Sequence, residues 1–170
     1  PHRPPALPNL PPVVRVNRED EVIGGAGNVA NNLVALGAQV EFFSVVGPDE
    51  AAGTLRALLQ ARGIPDPTLL VDGSRPTTTK TRVASGGHQI VRFDLESTAP
   101  LQPGMEDDLL QAVLPAIERA SAMVVSDYLK GVVGANLVQR IVERCRARGI
   151  PVLCDPKGRD FRKYRGATLL

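Results

Sequence analysis

The chain has 170 residues, is 43% apolar but only 4% aromatic, lacks tryptophan, and carries a formal net charge of +2. That length points to one domain with at most a small appendage, and its core must rest on Val, Leu, Ile and Ala, which suit buried parallel strands and helices. The weak charge, with no basic stripe interleaved with aromatics, excludes an obvious nucleic-acid binder, and no apolar run is long enough to cross a membrane.

Cys145 and Cys154 have neither zinc-site nor redox-pair spacing, so both are expected to be buried thiols. With no signal peptide evident, cytoplasmic residence is the expectation.

In chain order, residues 1–12 carry six prolines and read as an irregular, polyproline-like lead-in. Val13-Val14-Arg15-Val16 is expected to form a short strand, and residues 17–20 a polar turn before Glu21-Val22-Ile23. Gly24-Gly25-Ala26-Gly27 then feeds a helix over residues 28–36, with Val29, Leu33 and Leu36 at helical spacing and Gly37 as its stop. A glycine turn at a helix N-terminus presents free N–H groups suited to anions or polyhydroxylated ligands. Its spacing is not G-x-G-x-x-G, and alone it is more often plain loop geometry. A strand over residues 40–46 ends in Gly47-Pro48-Asp49, a helix over 50–62 stops at Gly63, and residues 68–71 form a short strand.

Residues 77–83 and 89–95 alternate in β-rich fashion around Ser85-Gly86-Gly87-His88, a strong hairpin turn. Lys80 and Arg82 share one face of the first arm, and Arg92 and Asp94 one face of the second. A hairpin with a charged face is only half buried, so it is assigned with residues 13–23 to a small separate β-layer. The remainder alternates again: a helix over 105–119 that Pro115 should kink or split, a strand over 122–126, an amphipathic helix over 135–148 with Leu137, Val138, Ile141, Val142 and Cys145 inward, a strand over 150–154, and a further strand starting at 167–170. Strand–helix alternation implies βαβ units and a parallel sheet.

In such sheets ligands bind beyond the carboxyl ends of the strands. Three strands end in polar clusters there: Gly47-Pro48-Asp49, Ser126-Asp127-Tyr128-Leu129-Lys130-Gly131 and Asp155-Pro156-Lys157-Gly158. Singly, Asp49 is best read as a helix N-cap, Asp155 as a turn starter before proline and Asp127 as turn chemistry. Three at one end of alternating strands, two with a lysine close by, favour a phosphate-handling rim in which carboxylates orient hydroxyls or metal-bound water and lysines neutralise phosphoryl charge. The basic cluster Lys157, Arg159, Arg162, Lys163 and Arg165 reads first as a solvated loop. His2 and His88 receive no catalytic task, and no G-x-S-x-G, H-E-x-x-H or Walker loop is present.

From Pro12 to Leu170 the chain resembles the ribokinase/PfkB class of sugar kinases. The likeness is carried by Gly24-Gly25-Ala26-Gly27-Asn28-Val29-Ala30, Thr79-Lys80-Thr81-Arg82-Val83, Ile90-Val91-Arg92-Phe93-Asp94, Ser126-Asp127-Tyr128-Leu129-Lys130-Gly131 and Asp155-Pro156-Lys157-Gly158. The last two together point to the heptose 7-phosphate kinase branch, the kinase half of bifunctional enzymes that make ADP-heptose for lipopolysaccharide.

The resemblance implies a ribokinase-like α/β fold: a parallel sheet with flanking helices and a β-lid built from strands near 13–23 and 76–95, with residues 13–170 forming part of a sugar-kinase domain. It implies ATP and magnesium as cofactors, a sugar phosphate as substrate, and a homodimer formed through the lid. Gly24, Gly25 and Asn28 would hold sugar hydroxyls. Lys80, Arg82 and Arg92 would grip the existing phosphate, Asp127 and Lys130 would line the sugar-phosphate rim, and Asp155 and Lys157 would face the nucleotide or magnesium. The family's first strand, with its sugar-binding aspartate, is replaced here by the proline-rich stretch. Its glycine-alanine-glycine-aspartate motif, which supplies the catalytic base, is expected beyond Leu170. The chain is therefore expected to be an inactive piece of a longer kinase. The alternatives are another PfkB-type sugar or nucleoside kinase, or a non-catalytic sugar-binding remnant.

Overall fold

The computed structural model describes residues 13–170, and the proline-rich lead-in lies outside the described residues. In chain order the elements are α1 (Gly25–Ala35), β1 (Phe43–Val46), α2 (Glu50–Ala61), β2 (Thr68–Val71), β3 (Thr79–Ser85), β4 (His88–Leu95), α3 (Met105–Ile117), β5 (Met123–Asp127), α4 (Ala135–Ala147) and β6 (Val152–Pro156), followed by a single 3-10 turn at Arg162–Tyr164.

β1 and β2 pair in parallel, from Phe43 opposite Thr68 to Val46 opposite Val71. β5 and β6 also pair in parallel, from Met123 opposite Val152 to Asp127 opposite Pro156. A parallel bridge between Leu153 and Leu169 starts the further segment expected at the chain's end.

The expected parallel sheet is thus present as two parallel pairs. One helical layer joins them: Val45 of β1, Val125 of β5 and Val152 and Cys154 of β6 pack in a common core with Leu109, Leu110, Val113 and Ile117 of α3 and Leu137, Val138, Ile141, Val142 and Cys145 of α4. Successive strand residues face opposite sides, so Val46, with Phe42 and Leu69, instead packs against Ala30 of α1 and Leu59 of α2. Among the described residues β1 and β5 are each paired on one side only, and residues 42–46 and 122–127 border one open cleft.

α4 buries the five residues its period predicts, and both cysteines are buried and free. α3 runs unbroken through Pro115, where a kink or split is expected from sequence. Pro115 lies in the last turn, so it removes only one late hydrogen bond, and buried Leu109, Leu110, Val113, Ala116 and Ile117 hold the helix to the core. No helix among the described residues is long and apolar enough to cross a membrane.

Two local expectations are corrected. Residues 13–23 form no strand, and most of their side chains, Val13, Val16 and Val22 among them, are exposed. A short β-rich run needs a neighbouring edge to become a strand, and among the described residues β3 and β4 pair only with each other. The glycine segment, in turn, is not a loop ahead of a helix but its first turn: α1 starts at Gly25, with the Asn28 N–H donating to the Gly24 carbonyl at 3.3 Å. Gly25 sits at φ +52°, a conformation costly for any residue with a Cβ.

The hairpin forms as expected, turning through Gly86 and Gly87, both at positive φ. Lys80 lies opposite Asp94 and Arg82 opposite Arg92 on one face, with Thr81 opposite Phe93 and Thr79 opposite Leu95 on the other. Rather than half buried, β4 is exposed along its whole length.

Candidate functional site

The segment leaving β5, residues 127–131, is the meeting point of the regions singled out from sequence. The Tyr128 ring lies 3.8 Å from where a Cβ on Gly25 would stand, so the first turn of α1 packs against it. Lys157, beyond β6, holds its Nζ 5.2 Å over the centroid of the same ring, a cation–π contact. The Leu129 side chain lies 3.5 Å from where a Cβ on Gly158 would be. Lys130 donates to Glu96 at the end of the hairpin, at 2.7 Å, and its carbonyl accepts from Arg75 at 3.0 Å.

Close packing fixes this segment. Gly131 has φ +77°, and a Cβ there would stand 1.7 Å from the Ala99 carbonyl oxygen, so only glycine fits. Leu129 is the one non-glycine at positive φ (57°) among the described residues. That conformation costs roughly 1–2 kcal/mol. The Asp127 carboxylate holds it by accepting the Leu129 N–H at 2.8 Å.

Asp127 itself is buried at the end of β5 and also accepts from the Lys163 ammonium and the Tyr164 hydroxyl. Burial pushes its carboxyl up, but the hydrogen bonds from Lys163, Tyr164 and the Leu129 N–H outweigh that and leave its pKa below the usual value. Burial and the bond to Asp127 push the Tyr164 hydroxyl up.

Of the cationic residues assigned to ligand binding from sequence, Lys80, Arg92, Lys130 and Lys157 are ion-paired, while Arg82 lies opposite Arg92 in the β-ladder. Lys80 reaches Asp94 at 2.6 Å and Glu96 at 2.8 Å, and Arg92 reaches Asp94 at 3.1 Å. Lys157 straddles both oxygens of Asp155, at 2.8 and 2.9 Å. Hydrogen bonds from Lys130 and Lys80 hold the Glu96 carboxyl down at about 2.

Gly24, Gly25, Lys80, Arg82, Asp127 and Lys130 line the cleft between the half-sheets, whereas Asn28, Arg92, Asp155 and Lys157 lie outside its lining. Asn28 is exposed, one residue past buried Gly27. Asp49 does what its singular reading predicts: one oxygen caps α2 through the Ala52 N–H at 3.2 Å, and the other accepts the Thr77 N–H at 2.8 Å.

Two groups are not evident from sequence, and a third, Glu96, is legible there but lies outside the predicted site. Asp72 and Arg75 form a buried pair at 2.8 Å, their side chains 1% and 5% exposed. Arg75 also donates to the carbonyls of Lys130, Ala99 and Pro100, each at 3.0 Å. It thereby ties the exit of β2 to the exit of the hairpin and to the 127–131 segment. Asp72-Gly73-Ser74-Arg75-Pro76 reads as a surface turn, so nothing local marks Arg75 as buried. Lys163 belongs to the basic cluster read as solvated, yet it is partnered to Asp127. Glu96 was findable, since it continues the face of Arg92 and Asp94 by one more period of two.

Hydrogen bonds from the Ser74 hydroxyl and N–H, with help from Arg75, hold the Asp72 carboxyl down at about 2 against burial. A depressed carboxylate stabilises the fold above its unfolded value, near 4, and that contribution is lost as pH falls towards about 2. Melting temperature is accordingly expected to fall between pH 4 and 2, and less steeply in Asp72→Asn. Equal slopes would remove Asp72 from the acid limb.

The fold and its cleft define an α/β protein of paired parallel strands whose strand exits and hairpin carry lysines and arginines paired with carboxylates. The pfkB family carbohydrate kinase profile matches residues 5–168, and the chain belongs to that family. It is 46% identical over 158 residues, 93% of its length, to the bifunctional protein HldE of Syntrophotalea carbinolica. Over the same span it is 47% identical to that of Geobacter sulfurreducens. It covers 32% of each, so it spans about a third of the length of these curated relatives.

Among solved structures it resembles a possible 1-phosphofructokinase from Thermotoga maritima (TM-score 0.64, 16% identity, 91% of this chain and 51% of that one). It also resembles phosphofructokinase-2 from Escherichia coli (TM-score 0.60, 19% identity, 88% and 51%). These likenesses establish the ribokinase-like fold.

Proposed function

We propose that the protein to which this chain belongs transfers the γ-phosphoryl of ATP to the anomeric hydroxyl of heptose 7-phosphate, giving the 1,7-bisphosphate on the route to ADP-heptose. The observation that supports this most is the hairpin's charged face tied to the 127–131 segment. Lys80 and Lys130 meet at one carboxylate there, with Arg82 and Arg92 paired across the same face. A sugar that already carries a phosphate gives such a cation cluster its purpose.

In this reading Lys80, Arg82 and Arg92 grip the 7-phosphate while Gly24, Gly25 and Asn28 orient sugar hydroxyls. Lys130 and Asp127 line the rim, with Asp127 acting by holding Lys163 and Tyr164 in place. Asp155 and Lys157 face the nucleotide. Among the described residues no cluster of three metal-ligating side chains exists. A hydrated magnesium ion bound mainly through nucleotide phosphates needs only one or two carboxylates, and Asp155 suits that requirement. Bound ATP and its metal ion would supply the transferable phosphoryl group and charge neutralisation. This chain's residues position the acceptor and exclude water.

Val91, Phe93 and Leu95 form an exposed apolar hairpin face, with Phe93 at 55% and Leu95 at 58%. Covering that face with a second hairpin would give the proposed homodimer. The compartment proposed is the cytoplasm, where ATP is available.

The full-length protein should phosphorylate heptose 7-phosphate in preference to plain heptose, other sugar phosphates and nucleosides, and the 170-residue chain alone should not turn over. In Lys80→Ala, kcat/KM for the phosphorylated sugar is expected to fall about tenfold or more, with little change for the plain sugar. Preference for an unphosphorylated acceptor, or equal loss on both sugars, would overturn the reading.

A further inference from the structure

We infer that Glu96 is a built-in competitor for the sugar's phosphate: its carboxylate occupies Lys80 and Lys130 until a phosphate attached to a correctly seated sugar displaces it. The inference rests on the sugar-phosphate reading above and assigns that site its discriminating residue. Glu96 gives one oxygen to each lysine, Oε2 to Lys80 at 2.8 Å and Oε1 to Lys130 at 2.7 Å. One lysine belongs to the hairpin and the other to the body, so a single carboxylate bridges the two.

Two features make this a site for an exchangeable anion. The first is charge. Lys80, Arg82, Arg92 and Lys130 stand against Asp94 and Glu96; with Glu96 displaced the excess is three positive charges, of which a phosphate monoester dianion would neutralise two. Arg82 lies directly opposite Arg92 in the β-ladder, a like-charge pairing that costs stability unless an anion lies between.

The second is the contrast in how the two ends are held. The Lys130 backbone is held on both sides, its carbonyl bound by buried Arg75 and the next residue, Gly131, packed against Ala99. The ion pairs of Glu96 are only partly buried, with side chains 24% to 36% exposed, and such pairs are weak and readily exchanged. A free inorganic phosphate must compete with Glu96 using phosphate contacts alone. A sugar phosphate adds contacts along the sugar and displaces Glu96 with their help, which is how a repulsive element generates specificity. On displacement the ligand replaces Glu96 as the ionic tie between hairpin and body.

The test titrates inorganic phosphate into the full-length protein by calorimetry at low ionic strength. Glu96→Gln is expected to bind it roughly five- to tenfold more tightly than the wild type, about the worth of two partly exposed ion pairs. Glu96→Gln combined with Lys130→Met should return to the weak wild-type affinity, which places the gain at this site rather than at a nucleotide subsite. Glu96→Asp, whose shorter side chain cannot span both lysines, should show a gain of about twofold and serves if the glutamine variant folds poorly. Unchanged or weaker phosphate binding in Glu96→Gln, or a gain that survives Lys130→Met, would overturn the inference. A protein that phosphorylates no sugar phosphate yet shows the tightened phosphate binding would sink the heptose reading while leaving Glu96 as the competitor.

Discussion

Arg75→Ala is expected to lower stability by about 3–5 kcal/mol, the range for removing one partner of a buried ion pair. Asp72 would remain 1% exposed without its guanidinium, and three carbonyls, those of Lys130, Ala99 and Pro100, would lose a donor at once. Restoring neutrality with Asp72→Asn in the Arg75→Ala background should recover only part of the loss, because the carbonyls stay unpaired. Arg75→Lys should recover little, since an ammonium cannot span the directions a guanidinium fork reaches. Urea midpoints of the four proteins would decide it. A loss below about 1 kcal/mol in Arg75→Ala would mean that water reaches these groups and that the hairpin exit is anchored elsewhere.

Asp127→Ala is expected to cost about 3 kcal/mol for the same physical reason. Its carboxylate is the shared acceptor of the Lys163 ammonium, the Tyr164 hydroxyl and the Leu129 N–H. Without it the 3-10 turn at Arg162–Tyr164 loses its link to β5, and Leu129 loses the bond that compensates its left-handed backbone. Asp127→Asn keeps an acceptor but no charge, and should fall between wild type and alanine. If Lys163→Met alone destabilised as much as Asp127→Ala, the charge pair rather than the three-way acceptor would carry the effect.

Both residues bear on what the sequence makes legible. Asp127 stands out because it ends a strand and opens Ser126-Asp127-Tyr128-Leu129-Lys130-Gly131, so a rim position is readable from alternation alone. What it bonds to is not readable, since Lys163 and Tyr164 lie 36 and 37 residues further along. Arg75 gives no local signal, because its burial arises only when the hairpin exit and the 127–131 segment close over it. Residues 13–23 illustrate the opposite case. Their β-rich composition predicts strands, yet strand formation requires an edge to pair with, and among the described residues none engages them.

Periodicity and turn chemistry determined the elements. The five inward residues of α4, the Gly86-Gly87 hairpin, the Asp49 cap and the alternation of strand with helix follow from side-chain geometry acting over a few residues. The family resemblance likewise rests on short contiguous motifs. Tertiary structure alone decided which charges meet. Glu96 lies between Lys80 and Lys130, Tyr128 lies between Gly25 and Lys157, and buried Arg75 lies beneath the hairpin exit. Coulombic and packing energies depend on distance in space, and chain closure brings together groups whose separation along the sequence carries no record of it.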